Sequence, residues 1–224
     1  MIRLHHCVNA RSFRPLWMLE ELDVPYELIL HEFPPRVNDN AFLAVNPLGT
    51  VPALLDGEVC MTESAAICQY LAARHPETGL DVASQDSAYA DYLNFLHFGE
   101  STLTFPQTLV LRYGQFEPPE RRQPQVVEDY SRWFLSRLRT LEPRLESRPW
   151  LCAERFTAAD VSVGYALLLA SQLGLDERFK PNVSDYWTRL QKREAFQRAL
   201  KVQHDTAVAQ GVSPATAMAK AETS

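Results

Sequence analysis

The most informative segment of the chain, Asn46-Pro-Leu-Gly-Thr-Val-Pro-Ala-Leu-Leu-Asp-Gly57, brings a Val-Pro pair to the start of a strand. Proline is unusual there because it has no N–H to donate to the strand ladder. A cis bond between Val51 and Pro52 would turn the chain and expose the backbone N–H and C=O of Val51, which could pair with a short extended peptide. A trans proline on an edge strand is the alternative. Asp56-Gly57 is typical of a hairpin turn, so this strand is expected to pair with the next segment.

A second segment, Thr62-Glu-Ser-Ala-Ala-Ile67, lies at the expected start of a helix. The free N–H groups and the positive dipole end of a helix start attract a carboxylate. Glu63, beside Ser64, could accept a hydrogen bond from an ammonium group. Together these groups could hold the zwitterionic end of an α-amino acid. Plain helix capping by Ser or Thr is the simpler interpretation of this segment taken alone.

The first 78 residues alternate between short apolar strands and amphipathic helices. Leu16, Leu19 and Leu22 recur at helical spacing, for example, whereas the predicted strands are short and followed by turn residues. The pattern predicts the order β-α-β-α-β-β-α, with strands at 2–7, 26–31, 51–55 and 58–61 and helices at 12–22, 40–45 and 63–73. Three helices on a small mixed sheet form an α/β unit.

The rest of the chain differs in kind, because only helical periods follow residue 84. The segment 161–173 is apolar nearly all round and is expected to be the buried central helix of a bundle. The preceding Phe156-Thr-Ala-Ala-Asp160 predicts a capping box, in which the side chain of Asp160 returns to the N–H of Thr157. Residues 205–224 are rich in Ala, Thr, Ser and Lys and are expected to form a weakly ordered tail.

Composition argues against several classes of function. The 224 residues include 22 Lys and Arg against 28 Asp and Glu, which gives a formal charge of −6 and a pI of about 5.5. Such a chain is a poor binder of nucleic acid or anionic membranes. With no apolar stretch of about 20 residues and no signal peptide pattern, a cytoplasmic location is expected. The four cysteines form no CxxC pair, so neither a disulfide framework nor a metal site is expected.

Together these motifs resemble those of the cytosolic glutathione transferase superfamily, bacterial type. The matching features are segments 46–52 and 63–67 at their mutual distance, Leu19-Glu-Glu-Leu22 after a loop at 8–12, and segment 156–160. The resemblance covers residues 1 to about 204. It implies a thioredoxin-like glutathione-binding domain over 1–78, an all-α helical-bundle domain over 84–204 and a homodimer whose two clefts face the interface.

The resemblance also implies where glutathione would bind. Val51 would pair through its backbone with the cysteinyl part of the tripeptide, with Pro52 cis. Glu63 and Ser64 would hold the γ-glutamyl end. Glutathione would be the co-substrate, and no metal is implied.

The glycyl end of glutathione lacks a usual partner in this chain. In many relatives a basic or amide side chain just before the Val-Pro pair contacts the glycyl carboxylate. Thr50 occupies that position here. Arg36, in the loop after the second strand, is the candidate substitute.

Catalysis in such a family requires a group that stabilises the glutathione thiolate. A thiol pKa of about 8.5 leaves little thiolate at neutral pH, and a donated hydrogen bond or a helix N-terminus favours the anion. Segment 7–12 joins the first strand to the first helix, at a position where relatives carry Tyr, Ser, Cys or Asn. Ser12 is the first candidate donor and Asn9 the second, while Cys7 would suit a relative that forms a mixed disulfide with glutathione. Arg11 could add positive charge, although a solvent-facing side chain is the simpler expectation.

An acceptor pocket is expected between the two domains. Phe98, Phe105 and Tyr113 would suit an apolar electrophile, and Arg112 could hold an acidic group on it. The predicted function is therefore conjugation of reduced glutathione to a small electrophile, in detoxification, by a cytoplasmic homodimer. The alternatives are glutathione-dependent disulfide or peroxide reduction, and a non-catalytic interaction module of the same fold.

Overall fold

A four-stranded mixed sheet forms the centre of the N-terminal half in the computed structural model, which describes residues 1–215. The strands are β1 (Ile2–His6), β2 (Tyr26–Leu30), β3 (Ala53–Asp56) and β4 (Val59–Met61), in the order β2-β1-β3-β4. β1 runs parallel to β2, with Leu4 opposite Leu28, and antiparallel to β3, with Leu4 opposite Leu54. β3 and β4 form the hairpin predicted from Asp56-Gly57.

The predicted helices accompany this sheet. Two of them are α1 (Phe13–Leu22) and α3 (Ser64–Arg74), whereas the helix predicted at 40–45 is a 3₁₀ turn (Ala41–Ala44). The short helix α2 (Pro35–Asn38), which the sequence did not predict, precedes that turn. Leu16, Trp17 and Leu19 are fully buried, because α1 packs against α3 and against helices of the C-terminal half. The element order and the thioredoxin-like arrangement expected from the sequence are confirmed.

The C-terminal half is a bundle of helices. These are α4 (Tyr89–His97), α5 (Phe105–Leu111), α6 (Pro124–Arg137), α7 (Glu142–Leu145), α8 (Ala158–Gln172), α9 (Pro181–Gln191) and α10 (Glu194–Ala209), with π-helical segments at Phe98–Thr104 and Arg112–Phe116. Residues 158–170 of α8 are all buried, as the apolar pattern predicted for a central helix. Across residues 1–215, no helix combines the length and the apolar character that crossing a bilayer requires.

The capping box predicted at the start of α8 is confirmed. The Thr157 hydroxyl accepts a hydrogen bond from the N–H of Ala159 at 3.3 Å, and the N–H of Thr157 donates to the Asp160 carboxylate at 2.9 Å. The hydroxyl of Tyr186 donates to the same carboxylate at 2.8 Å. Because Tyr186 belongs to α9, the capping carboxylate also ties α9 to α8.

The C-terminal helix continues past the predicted start of the tail. After α10, the side chain of Gln210 accepts a hydrogen bond from the N–H of Leu30 at 2.8 Å and donates one to the carbonyl of Leu28 at 2.8 Å. The expectation of a weakly ordered tail is therefore wrong for residues 205–210, since local composition does not reveal partners on a distant strand. For residues 216–224 the expectation lies outside the described part of the chain.

Candidate active site

A cleft of about 410 Å³ opens between the N-terminal half and the helical bundle. From the N-terminal half it is lined by Val8, Asn9, Ala10, Arg11, Phe33, Pro35, Arg36, Gly49, Thr50, Val51, Pro52, Thr62, Glu63 and Ser64. From the helical bundle it is lined by Glu100, Thr108, Leu111, Phe116, Tyr165, Leu169 and Gln172. The fold thus brings to one cleft all six residues that the sequence suggested for glutathione.

The first wall of the cleft is built around the Val51-Pro52 peptide bond, which is cis, as expected. Val51 directly precedes the proline that leads into β3 and lies on the cleft surface. Gly49 has a φ of +59°, and a Cβ at this position would lie 2.5 Å from the Cβ of Arg36. Only glycine therefore permits the close approach that puts the exposed Arg36 side chain beside Thr50 on the cleft.

The second wall is the N-terminus of α3. Glu63 is the N-cap residue and is exposed, whereas Ser64 opens the first turn and is buried. The hydroxyl oxygen of Ser64 accepts a hydrogen bond from Arg14 at 3.2 Å. The hydroxyl proton of Ser64 therefore remains available for an acceptor such as a carboxylate, and the positive end of the helix dipole lies beside it. This corner can receive a carboxylate, with the Glu63 carboxylate nearby for an ammonium group.

A partly buried ion-pair cluster joins the two halves at the cleft. The guanidinium of Arg14 is fully buried and pairs with Glu100, which also pairs with Arg11 at 2.6 Å. Arg14 further donates to the carbonyls of Gly99 and Ser162, each at 3.1 Å. Burial by itself would raise the pKa of the Glu100 carboxyl, but the guanidinium groups of Arg14 and Arg11 hold it below its usual value.

This cluster is not evident from the sequence, from which a solvent-facing Arg11 is expected; in the structure Arg11 is partly exposed on the cleft and pairs with Glu100. One feature of the sequence does point to such a cluster. Arg14 lies among the apolar residues of α1, and a charge that is buried with them requires a partner. Which residue would be that partner was not visible, since Glu100 lies 86 residues from Arg14. The cluster brings positive charge close to Ser64 and to the cleft.

Of the three residues predicted to activate the thiol, the structure brings Asn9 to the cleft. Ser12 is fully buried just before α1, and its hydroxyl accepts a hydrogen bond from the N–H of Cys7 at 3.3 Å. Ser12 thus closes the turn between β1 and α1, with its side chain directed at the backbone of the strand end. Cys7 is also buried and does not line the cleft.

The four side chains predicted for the acceptor pocket do not line the cleft. Phe98 packs edge-on against another ring of the bundle, and Phe105 is 51% exposed. Arg112 pairs with a glutamate at 2.9 Å and lies over the ring of Tyr113. The physical reason is that Phe98–Thr104 and Arg112–Phe116 are π-helical. A π-helical turn changes the helical period, so the side chains that these two segments turn towards the cleft cannot be assigned from residue type and spacing in the sequence.

Other side chains form the part of the cleft nearest the bundle. Tyr165, Leu169 and Gln172 line it from α8 at the spacing i, i+4, i+7, which a helical face count along this segment could have found. At the mouth of the cleft, the rings of Phe33 and Phe116 meet with their centroids 5.4 Å apart. Within the described residues, no group of three or more His, Cys, Asp or Glu side chains is arranged to hold a metal ion.

Comparisons with known proteins agree with this architecture. The sequence profile of the glutathione S-transferase N-terminal domain matches residues 4–79. Glutathione S-transferase GstA of Escherichia coli O157:H7 is 30% identical over 174 residues, which cover 74% of this chain and 80% of the relative. The chain belongs to the glutathione S-transferase family. It is accordingly an enzyme of the transferase class, and the resemblance seen in the sequence motifs is confirmed.

Solved structures of this family share the whole fold. A glutathione transferase from Methylococcus capsulatus strain Bath is 30% identical, with a TM-score of 0.77 over 90% of this chain and 98% of that protein. Ure2p5 from Phanerochaete chrysosporium, cocrystallised with 1-(S-glutathionyl)-2,4-dinitrobenzene, is 25% identical, with a TM-score of 0.79 over 93% of this chain and 96% of that protein. Both the thioredoxin-like half and the helical half are therefore family features.

Proposed function

We propose that this transferase binds reduced glutathione in the cleft and conjugates its sulfur to a small, mainly apolar electrophile. The observation that carries the proposal is that the Val51-Pro52 and Glu63-Ser64 pairs line one cleft together with Asn9. In the reaction the thiol proton passes to solvent and the thiolate sulfur forms a bond to the electrophilic carbon. The leaving group departs with the electron pair of the bond that breaks.

The tripeptide would lie along the wall formed by the N-terminal half. Its cysteinyl backbone pairs with Val51, as a strand added to the sheet. Its γ-glutamyl carboxylate meets the start of α3 at Ser64, and its ammonium group meets Glu63. The glycyl carboxylate is held by Arg36, with help from the hydroxyl of Thr50, since both line the cleft and Arg36 packs against Gly49, the neighbour of Thr50.

The thiolate would be stabilised by the side-chain amide of Asn9. A donated N–H bond favours the anion over the thiol. Nearby, Arg11 and Arg14 carry two positive charges against the single carboxylate of Glu100. This net positive charge, together with the N-terminus of α1, also favours the thiolate.

The acceptor would occupy the bundle side of the cleft. Leu111, Phe116 and Leu169 provide apolar contact area there, and Phe33 closes the mouth against Phe116. A flat aromatic electrophile fits such a surface through offset ring contacts. The dinitrobenzene conjugate bound by the Phanerochaete relative supports this substrate class.

Binding to immobilised glutathione tests the proposed tripeptide site. Glu63→Ala and Ser64→Ala are expected to weaken retention of the protein at least about tenfold, because each removes a charged or charge-assisted contact. Glu58→Ala is the matched control, since Glu58 is an exposed acid on the β3–β4 turn away from the cleft. Normal retention of both Glu63→Ala and Ser64→Ala would refute the site.

Turnover assays test the reaction and the role of Asn9. Conjugation of 1-chloro-2,4-dinitrobenzene is expected, and Asn9→Gly should lower kcat by about 10²-fold while glutathione binding persists. Glycine is the suitable substitution because Asn9 has a φ of +56°. Turnover of hydroperoxides or disulfides without conjugation would favour the reductase alternative, and no glutathione affinity by calorimetry would favour an interaction module.

A homodimer in the cytoplasm, as expected from the resemblance, completes the proposal. Light scattering coupled to size-exclusion chromatography tests the dimer. A single-protomer mass would contradict it.

A further inference from the structure

Asn9 is held in place almost entirely by the C-terminal half of the chain. Its backbone N–H donates to Oε1 of Gln203 at 3.1 Å, and its carbonyl accepts from the hydroxyl of Tyr165 at 3.2 Å. Its side-chain Oδ1 accepts from Nε2 of Gln203 at 2.6 Å. Gln203 lies on α10, 194 residues away, and is 97% buried, with a relative exposure of 3%.

These bonds fix which way the two side-chain amides face. A backbone N–H can only donate, so the Gln203 atom that meets Asn9 N must be the oxygen. The other end of that amide is then Nε2, which can only donate, so the Asn9 atom that it meets must be Oδ1. The Nδ2 group of Asn9 is therefore the polar group that remains for the cleft, which Asn9 lines.

A third contact holds Gln203 in this orientation. Oε1 of Gln203 also lies 3.0 Å from Nε2 of the fully buried His6. Since this oxygen can only accept, His6 donates from Nε2. Two donors, one of them a backbone N–H that cannot rotate away, thus converge on Oε1 and oppose a flip of the glutamine amide.

We propose that Gln203 is a positioning residue that holds the Asn9 amide with its Nδ2–H turned towards the glutathione sulfur. The inference rests on the proposed role of Asn9 as the sulfur donor. Rotation of an asparagine amide about its last torsion is easy, because that torsion has two broad minima. Without Gln203, Oδ1 would face the sulfur in part of the molecules, and an acceptor oxygen there disfavours the thiolate.

Two substitutions of Gln203 separate orientation from folding. Gln203→Glu keeps the acceptor for Asn9 N–H and His6 but, when ionised, cannot donate to Asn9 Oδ1. Gln203→Met has similar length and no donor at any pH. Both substitutions are expected to raise the pKa of the bound glutathione thiol so far that the thiolate fraction at neutral pH falls about tenfold. The ultraviolet absorbance of the thiolate measures this pKa. The KM for glutathione should stay within about twofold, because its peptide contacts are untouched.

Gln210→Glu is the matched control, because Gln210 also joins the C-terminal segment to the N-terminal half through one accepted and one donated bond. It is expected to leave the thiol pKa unchanged. Thermal unfolding of each variant monitors the fold. If neither Gln203 variant raises the thiol pKa, the inference is overturned.

A double-mutant cycle with Asn9→Gly decides whether Gln203 acts through Asn9. In the Asn9→Gly background, the Gln203 substitutions should change kcat by less than about twofold. If they lower kcat by the same factor with and without Asn9, the role of Gln203 is merely structural and the inference is overturned. If Asn9→Gly raises the thiol pKa but the Gln203 variants do not, only the positioning role falls. If Asn9→Gly leaves the thiol pKa unchanged, the donor role of Asn9 falls together with the inference.

Discussion

Mild acid is expected to destabilise this protein through two buried histidines at the end of β1. Burial lowers the pKa of His5 to about 4 and that of His6 to about 4. The neighbouring His31 and Arg3 lower the pKa of His5 further, whereas Asp39 opposes them. In the unfolded chain both imidazoles return to a pKa of about 6.5.

The sign and size follow from proton linkage. Between pH 6.5 and pH 4 the unfolded chain binds protons that the folded chain does not, so the free energy of unfolding falls as the pH falls. From pH 7 to pH 5 the loss is about 2 kcal/mol per histidine. Asp160 acts in the opposite direction, because burial raises its pKa to about 6. Its proton uptake in the folded chain offsets about 1 kcal/mol, which leaves a net loss of about 3 kcal/mol for these groups.

Urea unfolding followed by tryptophan fluorescence at pH 7 and pH 5 measures this loss. The comparison variant is the double substitution His5→Phe with His6→Asn. Phenylalanine retains an aromatic ring in the stack with His31 and Phe42, and asparagine retains a donor for Gln203. The variant is less stable at every pH, but its stability should fall much less on acidification; the remaining dependence comes in part from His31, whose pKa is also lowered by burial. A pH dependence equal to that of the unchanged protein would refute the reasoning.

Three further predictions concern packing and the cleft. Gly99→Ala would place a Cβ 2.6 Å from a backbone carbonyl oxygen of α8 and should lower the free energy of unfolding by about 1–3 kcal/mol. Gly114→Ala should lower it much less, because the added Cβ would meet only a side chain, at 3.2 Å. Equal denaturation midpoints for the two variants would contradict this prediction. Arg14→Met should lower stability by about 3–5 kcal/mol, because it leaves Glu100 without one of its cations, and adding Glu100→Gln should recover part of the loss in urea unfolding. Phe116→Ala should raise the KM for an aromatic acceptor about tenfold and leave the KM for glutathione unchanged in steady-state assays. A rise in the KM for glutathione instead would argue against a role of Phe116 in acceptor binding.

The features that could be predicted from the sequence are those set by neighbouring residues. The cis Val51-Pro52 bond was implied by the family resemblance, because the residues alone left a trans proline open, but the Asp56-Gly57 turn and the capping box of Thr157 and Asp160 each depend on fewer than about ten residues of chain. The apolar character of α8 likewise follows from composition within one helix. For such elements local physical chemistry is sufficient, and the structure contains all of them.

The loop between β1 and α1 shows where local reasoning is insufficient. Ser12 and Asn9 lie three residues apart, and both are chemically able to donate to a sulfur. The turn between β1 and α1 directs the hydroxyl of Ser12 back to the end of the strand and leaves the side chain of Asn9 on the cleft. The partners of Asn9, Gln203 and Tyr165, reach it from distant helices, so they are not visible in the local sequence.

The sequence by itself therefore determined the element order, the family resemblance and the residues proposed to bind glutathione, because these follow from short motifs. Only the tertiary structure decided which side chains line the cleft and which polar groups meet Asn9, Arg14 and Ser64. The physical reason is that π-helical turns change the helical period, and that buried polar groups take whichever partners the packing of separate helices brings within hydrogen-bond distance.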